Sequence, residues 1–186
     1  MTPGENTPVR TALVSSPKGF AQALWLAAAM AVLLGCGASG FDGKIYHGGE
    51  TSFRVGPIPE SWRGLEVDGD DALAVRDPVT ETLITVSARC NRDGDDVPLE
   101  ALTKHLFIQF TERQVQSEKR FQLDGREALR TELTAKLDGV ARRFRVVVLK
   151  KDGCVYDISE IATAKANPNS ERVFDEVVAG FSTVKR

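Results

Sequence analysis

Residues 121–160 read FQLDGREALRTELTAKLDGVARRFRVVVLKKDGCVYDISE. Three evenly spaced Asp-Gly pairs, which begin at Asp124, Asp138 and Asp152, separate segments in which apolar and polar side chains alternate. Asp-Gly between two such segments is the strongest short-range indication of a β-hairpin, because both central residues of the tight turn adopt positive φ. The pattern therefore predicts a meander of four antiparallel strands.

The alternation also predicts which side chains of the meander face the core, because every second side chain of a strand points to the same face. We expect strands at 118–123, 127–137, 140–150 and 154–162. The predicted core face carries Leu129, Thr131, Leu133, Ala135 and Leu137 on the second strand and Phe144, Val146 and Val148 on the third.

Shorter strands are expected before the meander. Residues 83–90 alternate strictly and predict a half-buried antiparallel strand. Its apolar face comprises Ile84, Val86, Ala88 and Cys90. Three earlier short strands are centred on Phe53 and Val55, on Leu65 and Val67, and on Leu73 and Val75.

Two amphipathic helices complete the predicted fold. Pro98 suits a first helical turn, since that position needs no N–H donor, and Asn167-Pro168 suits the start of a second helix. The apolar stripes are Leu99, Leu102, Leu106, Phe107 and Phe110 in the first helix and Val173, Phe174, Val177, Val178 and Phe181 in the second. The predicted fold class is α+β, an antiparallel meander flanked by two helices.

An apolar run from Phe20 to Leu34 ends in Leu33-Leu34-Gly35-Cys36. A small residue before a cysteine that can receive a diacylglycerol is what the bacterial lipoprotein pathway requires, so this segment resembles a lipobox. The resemblance implies signal-peptidase cleavage between Gly35 and Cys36, and diacylglyceryl and N-acyl chains on Cys36. At about 15 residues, the run is shorter than the ~20 of a membrane-spanning helix.

The lipobox sets the predicted domain boundaries and the location. We expect a signal peptide at 1–35, a lipidated cysteine with a flexible glycine-rich tether at 36–50, and one α+β domain at 51–186. About 150 residues remain after cleavage, which suits a single domain. The location is the bacterial cell envelope, facing the periplasm. Gly37 instead of aspartate slightly favours the outer membrane of a Gram-negative cell.

Other interpretations of the N-terminal segment stay open. They are an uncleaved membrane helix, an ordinary secretory signal cut after Ala38, and a buried helix of a soluble protein. The polar region before Phe20 is long for a signal peptide, and translation from Val9 or Val14 would leave a more usual leader.

Apart from Cys36, the chain contains two cysteines, Cys90 and Cys154. An even pair in an oxidising compartment can form a disulfide, and closing so long a loop would stabilise the fold by about 4 kcal/mol in the chain-entropy model. The alternative is that both are small buried side chains that never meet. The sequence leaves the two alternatives open.

The residues that could support catalysis or metal binding are few. His47 falls in the predicted tether, which leaves His105 for a histidine-based triad. The acidic loop 91–96 lacks the glycine and glutamate positions of a calcium loop, so we expect a turn there, no metal site and no cofactor. A carboxylate pair for glycoside hydrolysis stays open, because the chain has 26 acidic residues.

The order of these elements, with a Pro59 to Trp62 turn after the first strand, Asp-Gly hairpins and a last helix ending in Phe181, resembles the PsbP-like or DcrB-like α/β/α sandwich. The similarity covers about residues 51–184. The family includes a photosystem II subunit, a Ran-binding yeast protein and bacterial lipoproteins. The resemblance implies a non-enzymatic scaffold that binds protein partners, often near a membrane.

A basic surface on the meander is the predicted interaction patch. It comprises Arg130, Arg142, Arg143, Arg145, Lys150 and Lys151. Arg143 and Arg145 alternate with Phe144 and would face an anionic partner, such as lipid headgroups or an acidic protein. A solvated strand face is the alternative. The formal net charge of −2 gives no general attraction for nucleic acid.

We therefore expect a membrane-anchored, non-enzymatic interaction or assembly module with an unidentified envelope protein as its partner. The alternatives are an envelope hydrolase that uses a carboxylate pair and a small-ligand carrier with an apolar cavity between sheet and helix.

Overall fold

The structure, a computed structural model, describes residues 40–67, 69, 71–91, 96–165 and 167–184. In chain order its elements are β1 (Gly40–Phe41), β2 (Ile45–His47), β3 (Ser52–Arg54), β4 (Arg63–Gly64), β5 (Asp71–Arg76), β6 (Leu83–Cys90), α1 (Leu99–Leu106), β7 (Thr111–Leu123), β8 (Arg126–Leu137), β9 (Val140–Lys151), β10 (Cys154–Thr163), α2 (Pro168–Ala179) and β11 (Ser182–Thr183). The strands form a seven-stranded sheet ordered β4-β5-β6-β10-β9-β8-β7 and a four-stranded sheet ordered β1-β2-β3-β11.

The predicted meander is present as β7 to β10, which pair antiparallel in sequence order. Asp124, Asp138 and Asp152 have φ of 49°, 50° and 52°, and the glycine after each also has positive φ. The backbone thus adopts the turn conformation that Asp-Gly favours. Strand β10 then pairs with β6, so the chain returns to the strand that precedes α1.

The two helices cover opposite faces of the large sheet. On one face, α2 packs Phe174 and Val177 against Val147 and Leu149. On the other face, α1 and the turn after it cover a second core that includes Leu133, Phe144 and Val146. The predicted α+β sandwich is therefore confirmed, and the alternation along β9 sends neighbouring side chains to different helices.

The region around α1 differs from its prediction. Helix α1 ends at Leu106, and Phe107 and Phe110 lie in the following turn, where their rings pack 5.3 and 5.0 Å from that of Phe144. Strand β7 then begins at Thr111, well before the predicted residue 118. The first part of β7 is solvent-exposed and has no apolar alternation, so its backbone pairing with β8 left no signal in the sequence.

Helix α2 confirms its prediction, including its first turn. The side chain of Asn167 accepts hydrogen bonds from the backbone N–H groups of Asn169 at 3.0 Å and Ser170 at 3.4 Å. Pro168 occupies the first helical position, where the missing N–H costs no hydrogen bond. The cap and the apolar stripe together fix the start of α2 and the face that it buries.

The predicted flexible tether at 36–50 needs correction over residues 40–50. This segment contains the hairpin of β1 and β2, and β2 pairs with β3. Asp42 Oδ1 accepts hydrogen bonds from the backbone of the turn, and Gly43 supplies the positive φ of 96° that the turn requires. Tyr46 stacks on Phe53 at 5.0 Å, so an aromatic contact holds the hairpin against the domain.

The predicted strand at Leu65 and Val67 is also placed differently. The short strand β4 lies just before them, and Leu65 continues its alignment with β5 through a backbone hydrogen bond to Ala74 O of 2.9 Å. Leu65 is 44% exposed, because β4 lies at the edge of the sheet and nothing in the described residues covers this side chain.

Two glycines allow the chain before β4 to lie directly against the end of α2. The N–H of Gly56 donates to Val177 O at 3.1 Å. A Cβ atom on Gly56 would lie 1.8 Å from Glu176 O, and one on Gly180 would lie 2.4 Å from Gly56 Cα. Only a residue without a side chain fits at either position.

Candidate functional site

A mostly apolar cleft of about 290 Å³ lies between α1 and the outer strands β7 and β8. Phe107 and Leu133 form its apolar floor, and Thr103 and Thr131 contribute hydroxyl groups. Thr103 Oγ1 donates to Leu99 O at 2.9 Å, as is usual within a helix. Thr131 is 2% exposed, and its Oγ1 has no hydrogen-bond partner among the described residues.

The unpartnered hydroxyl of Thr131 makes this cleft the candidate binding site. A buried hydroxyl without a partner costs about 1–3 kcal/mol, so it is uncommon in a structural core. Thr131 lies on the face that the sequence predicted to be apolar, between Leu129 and Leu133. A threonine among apolar core positions was therefore the only sequence signal of this site.

Charged and apolar side chains surround the opening of the cleft. Lys104 extends from α1, and Arg113, Val115 and Glu118 extend from β7. Arg113 Nη1 donates to Phe107 O at 3.1 Å, which ties β7 to the turn after α1. The side chains of Lys104 and Glu118 make no hydrogen bond or ion pair within the described part of the chain. The cleft can therefore take an apolar group with a polar end at its opening.

A larger groove of about 650 Å³ at the end of the sheet is more polar. Arg120 and Glu127 line this groove, and Arg120 forms ion pairs with both Glu127 and the half-buried Glu100. Lys150 and Lys151 also line the groove, and both donate to protein acceptors. Because these cations already have partners in the protein, the groove offers less to a ligand than the cleft beneath α1.

The six residues of the predicted basic patch do not form one surface. Arg142 and Lys150 lie on the face of β9 that α1 covers, and Lys150 Nζ donates to Val97 O at 2.9 Å. Arg130, Arg143, Arg145 and Lys151 lie on the opposite face, on the side of α2. The prediction of a single anionic-partner surface is therefore corrected by the alternation of the strands.

Arg145 is buried rather than solvent-facing. It is 4% exposed and forms a bidentate pair with Glu160, in which Nε and Nη2 lie 2.6 and 3.0 Å from the two carboxylate oxygens. Burial alone would lower the pKa of Arg145, but the hydrogen bond and charge of Glu160, together with Asp175 at 3.6 Å, raise it. The guanidinium lies over Phe174, 4.7 Å from the ring centroid.

Helix α2 supplies the remaining partners of this buried cluster. Arg143 pairs with Glu171, and Arg130 Nη1 lies 2.9 Å from Asp175 Oδ1. Three arginines of the sheet thus hold α2 in place through Glu171 and Asp175. The sequence contained one signal of this arrangement. Glu160 lies an even number of residues after the buried Tyr156 on the same strand, so its side chain points to the same buried face.

Cys90 and Cys154 form a disulfide. The two residues are directly opposed in the antiparallel pair of β6 and β10, and they are 3% and 6% exposed. The alternation had indicated that each faces a core, but it contained no information about which strands are neighbours. The sequence left open whether the two cysteines are bridged or remain separate thiols. The strand order, which places β6 beside β10, brings them together as a bridge.

The first and third Asp-Gly turns converge on the C-terminal strand. Asp124 Oδ2 accepts hydrogen bonds from Thr183 N at 2.8 Å and from Lys151 Nζ at 2.6 Å. Thr183 Oγ1 lies 3.1 Å from that oxygen and 3.3 Å from Asp152 Oδ2. Burial alone would raise the pKa of Asp124, but these hydrogen bonds outweigh it and lower the pKa.

Several predicted functional positions lie elsewhere. Gly35 and Cys36 are outside the described residues, as are residues 92–95 of the acidic loop. His105 is exposed on α1, and its side chain forms no ion pair with a described carboxylate. In the described ranges, no three His, Cys, Asp or Glu side chains are close enough to hold a metal ion. Those ranges also contain no helix of the length and apolarity needed to cross a membrane.

Comparison with known proteins connects this architecture to solved structures. No family model matches the sequence, and no curated protein matches it. CyanoP of Synechocystis sp. PCC 6803, a cyanobacterial PsbP, is similar with a TM-score of 0.57 and 16% identity, over 82% of this chain and 99% of CyanoP.

Two further structures are similar to this chain. LpqN of Mycobacterium tuberculosis, described as involved in cell envelope biogenesis, has a TM-score of 0.54 and 17% identity, over 75% of this chain and 88% of LpqN. A point mutant of Mog1 has a TM-score of 0.51 and 14% identity, over 76% of this chain and 91% of Mog1. Such identities establish the architecture alone, and the chain therefore has the PsbP-like α+β fold.

Proposed function

We propose that this chain is a lipoprotein of the bacterial cell envelope, held on a membrane through Cys36, whose PsbP-like domain is a non-enzymatic protein-interaction or assembly module. The observation that carries the proposal is the segment Leu33-Leu34-Gly35-Cys36 at the end of an apolar run. The role of LpqN in cell envelope biogenesis supports the envelope location, because the two domains share a fold.

Acylation of Cys36 would be sufficient for stable attachment. Each buried methylene contributes about 0.8 kcal/mol, and one acyl chain gives only marginal binding, whereas two chains anchor a protein stably. Cleavage before Cys36 would leave the domain facing the periplasm. The outer membrane is slightly favoured, since Gly37 replaces the aspartate that favours retention in the inner membrane of enteric bacteria.

The use of the buried carboxylates favours a binding function over hydrolysis. Glu160 is paired with Arg145, and Asp157 is paired with Arg89. A hydrolase that uses two carboxylates needs both of them to reach a substrate in a cleft. The buried acidic groups instead hold strands and a helix together, so the envelope hydrolase is the weaker alternative.

A second candidate function is that of a small-ligand carrier. The cleft beneath α1 favours it, because an apolar floor and the unpartnered hydroxyl of Thr131 suit a small apolar molecule with one hydrogen-bonding group. The volume of about 290 Å³ is at the lower end for ligand pockets.

The anchor is tested in cells that express the full chain and receive an alkyne-labelled fatty acid. We expect label and membrane association in the wild type and in the control Ser39→Ala, and loss of both in Cys36→Ser. Label that persists in Cys36→Ser, or a wild-type protein that is unlabelled and freely soluble, would contradict the proposal. Crosslinking of the anchored protein in cells, followed by mass spectrometry, then identifies its partners.

The carrier function has a separate test. Native mass spectrometry of the domain purified from cells would show a retained small molecule. Val115→Trp would fill the opening of the cleft and remove that molecule. The matched control Val140→Trp, at another exposed valine of the sheet, would retain it. Identical spectra for the two variants would exclude the cleft as the binding site.

A further inference from the structure

Strand β7 is the long free edge of the large sheet. It is the last strand in the sheet order, and nothing in the described residues pairs with its outer side. Residues 111–120 are exposed, whereas the strand at the other edge, β4, has only two residues. A long free edge presents unpaired N–H and C=O groups that another strand can bind.

Charges and β-bulges usually prevent such edges from associating, and β7 has both. The order of its charges, however, is self-complementary. Glu112 and Arg113 precede the central bulge, and Glu118 and Lys119 follow it. When two copies of β7 run antiparallel around a two-fold axis, Arg113 meets Glu118, and the symmetry repeats the contact.

The central bulge makes this alignment compatible with the pleat. Residues that oppose each other in an antiparallel pair have side chains on the same face. In a regular strand, positions 113 and 118 would face opposite sides, because their separation is odd. The register shift between Val115 and Ser117 adds one residue to β7, which brings positions 113 and 118 to the same face. Arg113 and Glu118 accordingly line the same cleft.

The two side chains that this alignment pairs, Arg113 and Glu118, are available, whereas Glu112 already pairs with Lys136 Nζ at 2.6 Å. The side chain of Glu118 makes no hydrogen bond or ion pair within the described ranges. Arg113 uses one guanidinium nitrogen for Phe107 O and retains the other. Val115, next to the two-fold axis, is 58% exposed and would be covered.

We propose that β7 binds β7 of a second copy of this chain, antiparallel and with Arg113 opposite Glu118, so that the two large sheets form one continuous sheet. This goes beyond the proposed function and does not depend on the lipid anchor. Glu118 and Arg113 of the second copy would lie at the opening of the cleft beneath α1, so each copy completes the rim of the other's candidate site.

A charge exchange between two tagged full-length copies tests the register. Like charges opposed across strands repel, so Glu118→Lys alone and Arg113→Glu alone should each lower self-association about tenfold, measured by co-purification from detergent extracts. A Glu118→Lys copy with an Arg113→Glu copy should recover wild-type co-purification, because both cross-strand pairs are again of opposite sign. Single variants that still self-associate, or a mixed pair that does not recover, would overturn the proposal.

Photocrosslinking in cells is independent of how the charge variants fold. A benzophenone amino acid at Ser117, opposite Gln114 of the second copy, should give a crosslinked homodimer. The control position Val79, which is 86% exposed on a loop, should give none. Crosslinks from Ser117 only to other proteins would assign the edge to a different partner and overturn the proposal, as would the absence of any adduct.

Discussion

The stability of the core depends strongly on the single residue Glu160. It is 0% exposed, and both of its carboxylate oxygens accept hydrogen bonds from Arg145. A buried ion pair adds little net stability over an apolar pair, but removal of one member leaves an uncompensated charge in the core. Replacing Glu160 should therefore destabilise the fold, although the intact ion pair adds little net stability.

We expect Glu160→Gln to lower the free energy of unfolding by about 3 kcal/mol, because buried Arg145 would keep its charge and lose its bidentate counterion, with only the half-exposed Asp175 at 3.6 Å remaining. Urea denaturation followed by circular dichroism measures this change. The matched control is Glu127→Gln, which removes an exposed partner of Arg120 and should cost at most about 1 kcal/mol. Equal losses in the two variants would show that Arg145 is hydrated in solution.

Asp124 predicts a pH dependence of stability. Its folded-state pKa is lowered, so its contribution is full above the unfolded value of about 3.9 and is lost as the pH falls through the folded pKa. We expect Asp124→Asn, which preserves the turn, to flatten the decrease in stability below about pH 5. Thermal unfolding at several pH values measures it.

The control for this prediction is Asp138→Asn. Asp138 occupies the same position in its turn, but its side chain makes no hydrogen bond or ion pair in the part of the chain that the structure describes. The acid dependence of this variant should match that of the wild type. If both variants behave alike, the contacts of Asp124 with Lys151 and Thr183 do not persist in solution.

Among the elements, those with a clear period were predictable and those held by backbone pairing were not. The Asp-Gly turns and the apolar stripe of α2 indicated their positions, because turn conformation and periodicity are local properties. The first part of β7 and the hairpin of β1 and β2 depend on a neighbouring strand. Their exposed or glycine-rich residues therefore read as loop or tether.

The contact between α2 and the segment before β4 depends on Gly56. We expect Gly56→Ala to lower the melting temperature by several degrees, because its Cβ would lie 1.8 Å from Glu176 O and would push the helix away. Gly64→Ala is the control, since its added Cβ meets nothing within 4 Å. Differential scanning calorimetry measures the melting temperatures of both variants. Equal melting temperatures would show that the contact between Gly56 and α2 can accommodate a side chain.

The disulfide between β6 and β10 closes the central strand pair of the sheet. We expect the double variant Cys90→Ala, Cys154→Ala to lose about 2–5 kcal/mol of stability, since the bridge spans a sequence separation of 64 residues. Denaturation of the wild type with and without reductant should reproduce this loss. The reductant should have no effect on the double variant, and an effect there would assign the loss to another cause.

For the whole molecule, the sequence indicated the α+β sandwich but not the position of the candidate site. The cleft forms where α1, β7 and β8 meet, and only the strand order brings Thr131 beneath the helix. The division of the basic residues between two faces has the same origin. Composition showed the charges, whereas their partners Glu160, Glu171 and Asp175 are assembled by the tertiary fold.

The pairing of β3 with β11 has a consequence for protein engineering. In the small sheet, β1 and β11 are three strand spacings apart, or about 14 Å, so a linker of roughly six residues can join the end of the domain to its beginning. New termini at the exposed hairpin after Leu137 would then give a circular permutant that retains both helices. Its circular dichroism spectrum should match that of the parent.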